Sequence, residues 1–331
     1  MRAMILERPR PVGEAPLHLD ELPTPIPGPG EILVRMRCCG ICHTDLHTVE
    51  GDLELPKLPL VPGHQIVGIV DALGPGAGIF KKGDRVGIPW LHSTDNQCEY
   101  CRQGLENLCN QAQFTGYHVN GGYADYTVVH ENYAYRIPEV FSDENAAPLL
   151  CAGIIGYRSY RLSGVQPGQR LGLYGFGASA HLVLQFARHQ GCEVYVFTRT
   201  PIHRELAQRL GAAWTGSAED TPPHPLDACI IFAPAGALVP QALRVLRKAG
   251  TLTLAGITMS TIPAMDYSLL YQERVIRSVA NSTRQDAREF LQLSAEVPVH
   301  TDVELFNLDE ANQALQALKK SKIKAAAVLK M

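Results

Sequence analysis

The sequence lacks any apolar run that approaches the ~18 residues of a membrane-spanning helix. It also lacks the apolar start of a secretory signal peptide, because charged side chains stand among its first residues, Met1 to Pro9. We therefore expect a cytoplasmic protein with no membrane partner.

The sequence has little excess charge of either sign. Its 30 Lys and Arg against 33 Asp and Glu leave a formal net charge of -3 over 331 residues. Bulk charge therefore does not favour nucleic acid or an anionic membrane as a partner. Cysteine is plentiful, and nine cysteines without an export signal indicate metal ligands, reactive thiols or buried small side chains rather than disulfides.

Two sequence textures divide the chain. The N-terminal half is rich in Gly and Pro and carries short β-rich runs, which is typical of a β-barrel-like unit with functional loops. Beyond Pro167 the pattern alternates: Arg170 to Tyr174 predicts a strand, Ala180 to His189 a helix and Glu193 to Phe197 a strand, with further helical spacing from Leu238 to Lys248. This alternation predicts βαβ units around a parallel sheet, an α/β architecture.

A glycine turn follows the first of these strands and opens the helix, with Gly175, Gly177 and Ala178 at its key positions. Such a turn lets backbone N–H groups approach a pyrophosphate at the positive end of a helix. The context of strand, turn, helix and strand predicts a dinucleotide site; a purely structural glycine turn is the alternative.

The residues after the second strand bear on which dinucleotide binds. An NAD site expects a carboxylate there for the ribose diol, but this chain has Thr198-Arg199, with Arg204 about one helical turn further on. A hydroxyl beside two guanidinium groups suits a 2'-phosphate, so we favour NADP over NAD. The alternative is that Arg199 is a solvated loop residue and NAD is accepted.

A cysteine-rich loop has the spacing of a zinc site. Cys98, Cys101 and Cys109 supply thiols that one loop can wrap around a tetrahedral ion, and Asp95 lies at the same spacing upstream to supply a fourth ligand. Three thiolates and a carboxylate donate less charge than four thiolates, so we expect weaker retention of the metal. The alternative is an empty loop with free thiols or one disulfide.

A second potential ligand set is spread along the chain. Cys42, His64 and Cys151 would each be ordinary alone, since a lone buried Cys or a hydrogen-bonded His is common. Together they provide two thiolates and an imidazole, a catalytic zinc set that leaves a fourth position open.

These motifs occur in the order found in one family, and the sequence resembles the zinc-containing alcohol dehydrogenases of the medium-chain dehydrogenase/reductase superfamily over nearly its whole length. The residues that carry the resemblance are Gly40 to His47, Gly63-His64 with Gly68, Gly83 to Val86, Cys98 to Cys109, Cys151, and Gly175 to Gly177. The resemblance implies a GroES-like β-rich catalytic domain, residues 1–152 and 282–331, and a Rossmann dinucleotide-binding domain, residues 153–281.

The resemblance also implies roles for individual residues. Cys42, His64 and Cys151 would ligate catalytic zinc, and Asp45 would hold His64 through its other ring nitrogen. Thr44 would hydrogen-bond the substrate oxygen, and His47 would be the far end of a proton relay.

Two further residues would take positions known in the family. His43 would lie near the cofactor pyrophosphate, and Trp90 in the substrate pocket, where simple core packing is the alternative. The chain departs from the family at Gln65, where Glu is usual, and Arg284 is a candidate for the pyrophosphate end of the cofactor.

The expected activity is zinc-dependent interconversion of a primary or secondary alcohol and its aldehyde or ketone by hydride transfer with a nicotinamide cofactor. The alternatives are a zinc-free enone or quinone reductase of the same superfamily, and a non-catalytic zinc- or cofactor-binding protein. Relatives are oligomers, so a homodimer or homotetramer built across edge strands of the Rossmann sheet is expected.

Overall fold

The computed structural model describes residues 1–297 and 299–331, which fall into two structural units. The first unit is Met1–Ala152, Ser282–Gln292 and His300–Met331, and the second is Gly153–Asn281 and Leu293–Val299. The sequence assigned residues 282–331 to one domain throughout. The structure corrects this for Leu293–Val299, because the end of the helix that starts at Arg284 packs with the second unit.

The first unit is built mainly from antiparallel strands with short helices between them. Its elements before residue 152 are β1 (Arg2–Leu6), β2 (Leu17–Glu21), β3 (Glu31–Ile41), α1 (His43–Glu50), β4 (Gln65–Leu73), β5 (Arg85–Ile88), β6 (Leu91–Ser93), α2 (Glu99–Arg102), β7 (Gln113–Phe114), β8 (Tyr126–His130), β9 (Tyr135–Arg136) and α3 (Asp143–Ala146).

The second unit alternates helices and strands. Its elements are α4 (Ala152–Ser163), β10 (Arg170–Tyr174), α5 (Ala178–His189), β11 (Glu193–Phe197), α6 (Pro201–Arg209), β12 (Trp214–Gly216), β13 (Leu226–Ile231), α7 (Leu238–Val245), β14 (Leu246–Leu254) and β15 (Val275–Ser278). The chain then continues with α8 (Arg284–Glu296), β16 (Val303–Asn307), α9 (Ala311–Lys319) and β17 (Ala326–Lys330).

A seven-stranded sheet forms the frame of the first unit. Its order is β16-β17-β3-β4-β5-β9, with β8 also paired to β3, and the pairs that involve β3, β4 and β5 are antiparallel. The long strand β3 carries much of the buried core, including Ile32, Val34 and Cys39, which are fully buried. The strand ends at Ile41, so the core positions the start of α1 directly after it.

A parallel sheet forms the second unit, in the order β12-β11-β10-β13-β14-β15. The order reverses direction between β10 and β13, which is the switch point where doubly wound sheets bind ligands at the carboxyl ends of their strands. This confirms the predicted α/β architecture. The helical spacing predicted through Lys248 is wrong beyond Val245, because buried Leu246 pairs with Leu226 and continues as strand β14.

Candidate metal centre and catalytic residues

The first turn of α1 fixes two of the predicted site residues. Cys42 is the N-cap, and its Sγ accepts the Thr44 N–H at 3.3 Å while the Asp45 carboxylate accepts the Cys42 N–H at 2.8 Å. This reciprocal capping satisfies backbone donors that have no partner within the helix. The positive end of the helix also favours a thiolate at Cys42.

His64 is oriented from the opposite side of its ring. Its Nδ1 donates to Asp45 Oδ1 at 2.9 Å, and both side chains are buried. A carboxylate can only accept, so the hydrogen on Nδ1 leaves the lone pair of neutral His64 on Nε2. That Nε2 lies 3.2 Å from Cys42 Sγ, and Gln65 follows as the buried first residue of β4.

The glycine before His64 is required by the packing beneath the site. Gly63 has φ +98, in the left-handed region, and a Cβ there would lie 2.4 Å from the Tyr123 ring. Tyr123 is fully buried, and no sequence pattern marked it as part of the site. The ring therefore supports the backbone that presents His64.

Cys151 completes the set. The Sγ atoms of Cys42 and Cys151 and one ring nitrogen of His64 all lie within 4.8 Å of one another. A tetrahedral zinc site with bonds of about 2.3 Å to sulfur and 2.0 Å to nitrogen needs ligand atoms about 3.5 to 3.8 Å apart, so this geometry fits the ion after small shifts.

The charge state of the cluster also suits a cation. A hydrogen bond from Cys151 lowers the pKa of Cys42 well below its ordinary value; burial opposes this shift and the His64 ring adds to it. The same hydrogen bond, with burial, raises the pKa of Cys151. Burial opposes it, but the neighbouring Asp45 and Cys42 raise the pKa of His64 well above its ordinary value. Binding of a cation to this cluster would therefore release protons.

The second predicted metal site, in the cysteine-rich loop around α2, is called here the Asp95 lobe. Asp95, Cys98, Cys101 and Cys109 offer ligand atoms that all lie within 4.8 Å of one another. The N–H groups of Gln97 and Cys98 donate to one Asp95 oxygen, at 2.8 and 3.0 Å. These bonds lower the pKa of Asp95, so the carboxylate is ionised and its second oxygen can serve as a ligand.

The remaining predicted residues of the first unit lie on α1 and beside His64. Thr44 and His47 both lie on α1, and His43 is exposed at its first position. The Trp90 ring centroid is 6.1 Å from that of His64, and Trp90 stacks on Phe114 at 4.3 Å with an interplanar angle of 20°. Phe114 was missed, because a single aromatic residue in a short strand gives no sequence signal.

The predicted dinucleotide residues lie where the sequence placed them in the second unit. Gly175 follows β10, and a Cβ added at Gly177, just before α5, would meet nothing within 4 Å. Ala178 is the first residue of α5. This open approach to a helix N-terminus fits a pyrophosphate.

Beyond the next strand, Thr198 is buried and Arg199 is exposed. The Arg204 Nε donates to the Thr198 carbonyl at 2.9 Å, which fixes the guanidinium beside the end of β11.

The suggestion that Arg284 serves the pyrophosphate is wrong: its Nε pairs with the buried Glu106 at 3.2 Å, and its guanidinium lies over the Tyr133 ring.

Comparisons with known proteins agree with this geometry. Residues 28–139 match the family model "Alcohol dehydrogenase GroES-like domain", and residues 180–296 match "Zinc-binding dehydrogenase". The chain is 47% identical over 335 residues to a probable alcohol dehydrogenase of Mycobacterium tuberculosis, covering 99% of this chain and 97% of the relative.

Solved structures show the same fold. A cinnamyl alcohol dehydrogenase from Sorghum bicolor superposes with a TM-score of 0.90 at 28% identity, covering 99% of this chain and 97% of that one. A CAD from Helicobacter pylori, complexed with NADP(H), superposes with a TM-score of 0.88 at 26% identity, covering 100% and 99%. Within the described part of the chain, every helix is too short or too polar to traverse a bilayer. From these matches and the two metal-ligand clusters, the chain belongs to the zinc-containing alcohol dehydrogenases of the medium-chain dehydrogenase/reductase superfamily.

Proposed function

We propose that this protein is a zinc-dependent alcohol dehydrogenase, which interconverts an alcohol and its aldehyde or ketone with a nicotinamide cofactor. The observation that carries the proposal is the convergence of Cys42, His64 and Cys151, three ligand atoms that leave a tetrahedral ion one open position. Zinc, when bound, supplies Lewis-acid polarisation of the substrate oxygen, and the nicotinamide supplies hydride chemistry.

The side chains of α1 would handle the proton. Thr44 follows Cys42 by two residues at the start of α1, so its hydroxyl would accept the proton of an alcohol bound at the ligand cluster and give up its own proton to the relay. His47 lies one helical turn further and is partly exposed, so it would pass that proton to water. Asp45 would keep the His64 lone pair directed at the ligand cluster.

Metal analysis combined with a cofactor absorbance assay on a panel of alcohols and aldehydes tests this function. Two zinc ions per chain would support both clusters, and one would leave the Asp95 lobe empty. Thr44→Ala should lose turnover by about 100-fold or more while its zinc content holds, the lower range for proton-transfer groups. Full kcat in Thr44→Ala at neutral pH would refute the relay.

We propose NADP as the preferred cofactor. Arg199 is exposed and Arg204 donates to the Thr198 carbonyl, while the residues Thr198-Arg199 stand where a ribose-binding carboxylate is expected at the end of β11. Removing one charged hydrogen bond to a 2'-phosphate should cost about 10- to 100-fold in kcat/KM. Arg199→Ala should therefore lower kcat/KM for NADP and leave that for NAD unchanged; a wild-type preference for NAD would contradict the assignment.

We propose that planar alcohols, such as aryl and allyl alcohols, are preferred substrates. The Trp90 ring lies beside His64 and stacks on Phe114, so these rings would offer a flat apolar wall to a substrate. Stacking is worth about 0.5–1.5 kcal/mol, so Trp90→Ala should raise KM for cinnamyl alcohol by about 2- to 12-fold. The KM for ethanol should change less. Equal changes for both substrates would refute the proposal that these rings contact the substrate.

We also propose a homodimer or homotetramer whose contact includes the edge strand β15. This strand ends the parallel sheet, and Val275 on it is 47% exposed with Tyr267 and Tyr271 exposed nearby. An unprotected strand edge is a template for pairing. Val275→Lys should shift the protein toward monomers in light scattering, whereas a monomeric wild type would refute the proposal.

A further inference from the structure

The Asp95 lobe is held at both ends by a side chain from a distant part of the sequence. Its ligands lie on one loop, which starts at Asp95 and ends at Cys109. The helical elements of this loop, α2 and the 3₁₀ turn Glu106–Leu108, are four and three residues long. Such short elements do not by themselves fix how far apart the first and last ligands stand, so contacts from outside the loop matter.

The Cys109 end is held through Glu106. The Cys109 N–H donates to the Glu106 carbonyl at 3.1 Å, so the two residues share one turn of backbone. The Glu106 side chain is 5% exposed, and its Oε1 accepts from the backbone N–H and from Nε of Arg284, at 2.9 and 3.2 Å. A buried carboxylate needs such a partner, because an unpaired charge is costly away from water. Arg284 therefore fixes the turn that presents Cys109.

The Asp95 end is held through Tyr133. Thr94 Oγ1 and Tyr133 Oη share a hydrogen bond of 2.8 Å, and Tyr133 Oη also donates to Asn96 Oδ1 at 3.4 Å. The residues on both sides of Asp95 are thus bound to one phenol hydroxyl. The Arg284 guanidinium carbon lies 5.1 Å from the centroid of the Tyr133 ring, within the range of a cation–π contact. The same arginine therefore contacts the supports of the first and of the last ligand.

Arg284 is itself fixed by the start of its helix. It is the first residue of α8. The Thr283 N–H and hydroxyl donate to Asp286 Oδ2 at 2.9 and 2.7 Å, and the Asp286 N–H donates to Thr283 Oγ1 at 3.1 Å. Both capping side chains are buried. This reciprocal capping fixes the backbone from which Arg284 reaches the loop.

We propose that Arg284 is a positioning residue for the Asp95 lobe. It holds Asp95 and Cys109 at the separation that a single cation needs, and it links metal binding in the lobe to the first turn of α8. The inference rests on the part of the proposed function that assigns zinc to the lobe. Its physical basis is entropic: a loop must bring its ligands together before they can share an ion, and a brace that orders both ends in advance reduces that cost.

The coupling acts in both directions. If the contacts of Arg284 favour the metal-binding arrangement of the loop by some factor, a bound ion favours those contacts by the same factor. The Arg284 N–H is a direct reporter, because it donates to Glu106 and lies in the first turn of α8. Loss of zinc from the lobe should therefore speed exchange of this N–H, although the ligands lie on the loop and not on the helix.

Zinc retention tests the brace. A chromogenic chelator would follow zinc release from the holoenzyme, and the phase absent from Cys109→Ser assigns the lobe ion. The double variant Glu106→Gln with Arg284→Met removes the ion pair without leaving a buried charge unpaired. It should lower zinc affinity of the lobe by about 10-fold, the low end for groups that orient metal ligands, and leave the catalytic cluster unchanged. Arg284→Lys, which keeps the charge but loses the planar group over Tyr133, should give an intermediate loss.

Arg288→Met is the matched control, because Arg288 is an exposed arginine one turn further along α8. It should retain zinc in the lobe as wild type does. Equal retention in wild type and in the double variant would overturn the inference. A loss in Arg288→Met as large as in the double variant would also overturn it, since the effect would then come from the charge of the helix in general.

Hydrogen exchange measures the link to α8, which a general loss of stability would not reproduce. In wild type, removal of zinc from the lobe should speed exchange in the peptide that contains residue 284 by about 10-fold, the same factor as for zinc affinity. In the double variant, removal of zinc should leave the exchange rate of that peptide unchanged. A wild type whose α8 peptide exchanges equally with and without zinc in the lobe would overturn the link.

The outcomes separate the two proposals. A wild type that holds two zinc ions per chain but oxidises no alcohol in the panel would overturn the proposed function, and the zinc measurements would still decide the role of Arg284. An active wild type whose Cys109→Ser variant loses no zinc would have no ion in the lobe, which would overturn the role of Arg284 alone.

Discussion

Removing the Asp45 carboxylate should weaken zinc binding and loosen the start of α1 together. Asp45 accepts from the Cys42 N–H at 2.8 Å and from His64 Nδ1 at 2.9 Å, and it is 1% exposed. In Asp45→Ala both donors lose their partner within the protein. The change therefore acts on two ligands of the catalytic cluster at once.

The magnitude follows from those two bonds. Loss of a carboxylate that orients a metal-bound histidine typically costs 10- to 100-fold in metal affinity, which is about 1.4–2.8 kcal/mol. A lost helix cap costs about 1 kcal/mol, and a buried donor left without a partner about 1–3 kcal/mol. We expect Asp45→Ala to be about 2–4 kcal/mol less stable than wild type in the zinc-free form.

Zinc affinity would be measured by competition with a chelator, and stability by urea unfolding of the zinc-free protein. Asp266→Ala is the matched control, because Asp266 also accepts a backbone N–H, from Ser268 at 2.7 Å, at the start of a helical turn in the second unit. Asp266→Ala should leave zinc affinity unchanged. Wild-type affinity in Asp45→Ala would refute the argument that Asp45 fixes the His64 lone pair.

Three further predictions follow from other sites. Gly63→Ala should destabilise by about 2–3 kcal/mol in urea unfolding, because it adds a steric clash to a left-handed φ. Gly76→Ala, with φ +77 and open space, should cost only about 1 kcal/mol, and equal effects would refute the clash. Asp95→Cys should retain lobe zinc longer against a chelator, because thiolate donates more charge than carboxylate; faster loss would contradict this. Arg2 lowers the pKa of Asp125 although burial opposes the shift, so Asp125→Asn should lose up to about 1 kcal/mol at pH 7. That difference should close as pH falls below about 3.9 through the lower folded pKa, and a constant difference would refute the ion pair.

Local sequence patterns were sufficient to predict several features of the structure. Strands β10 and β11 match the predicted runs, because apolar strand runs bounded by turn residues need only neighbouring sequence to be recognised. The lobe of Asp95 to Cys109 is similarly local, since one short loop supplies its ligands. The resemblance to the family then linked these features to an enzymatic activity.

Other features depended on contacts between distant residues. The sequence placed Arg284 at a cofactor, but its side chain pairs with Glu106, which is 178 residues away. It extended helix α7 to Lys248, whereas the pairing of Leu246 with Leu226 begins a strand there. Neither contact leaves a periodic signal.

The sequence by itself determined which residue types could bind metal and dinucleotide and the order of helices and strands, because spacing and periodicity are local properties of the chain. The resemblance to the family also implied that Cys42, His64 and Cys151 share one zinc site, and the structure brings their ligand atoms within 4.8 Å of one another. Only the tertiary structure decided that Phe114 stacks on Trp90 and that the backbone of Gly63 lies against the Tyr123 ring. The physical reason is that these relations depend on turns and on sheet packing, which bring together side chains that no sequence pattern pairs.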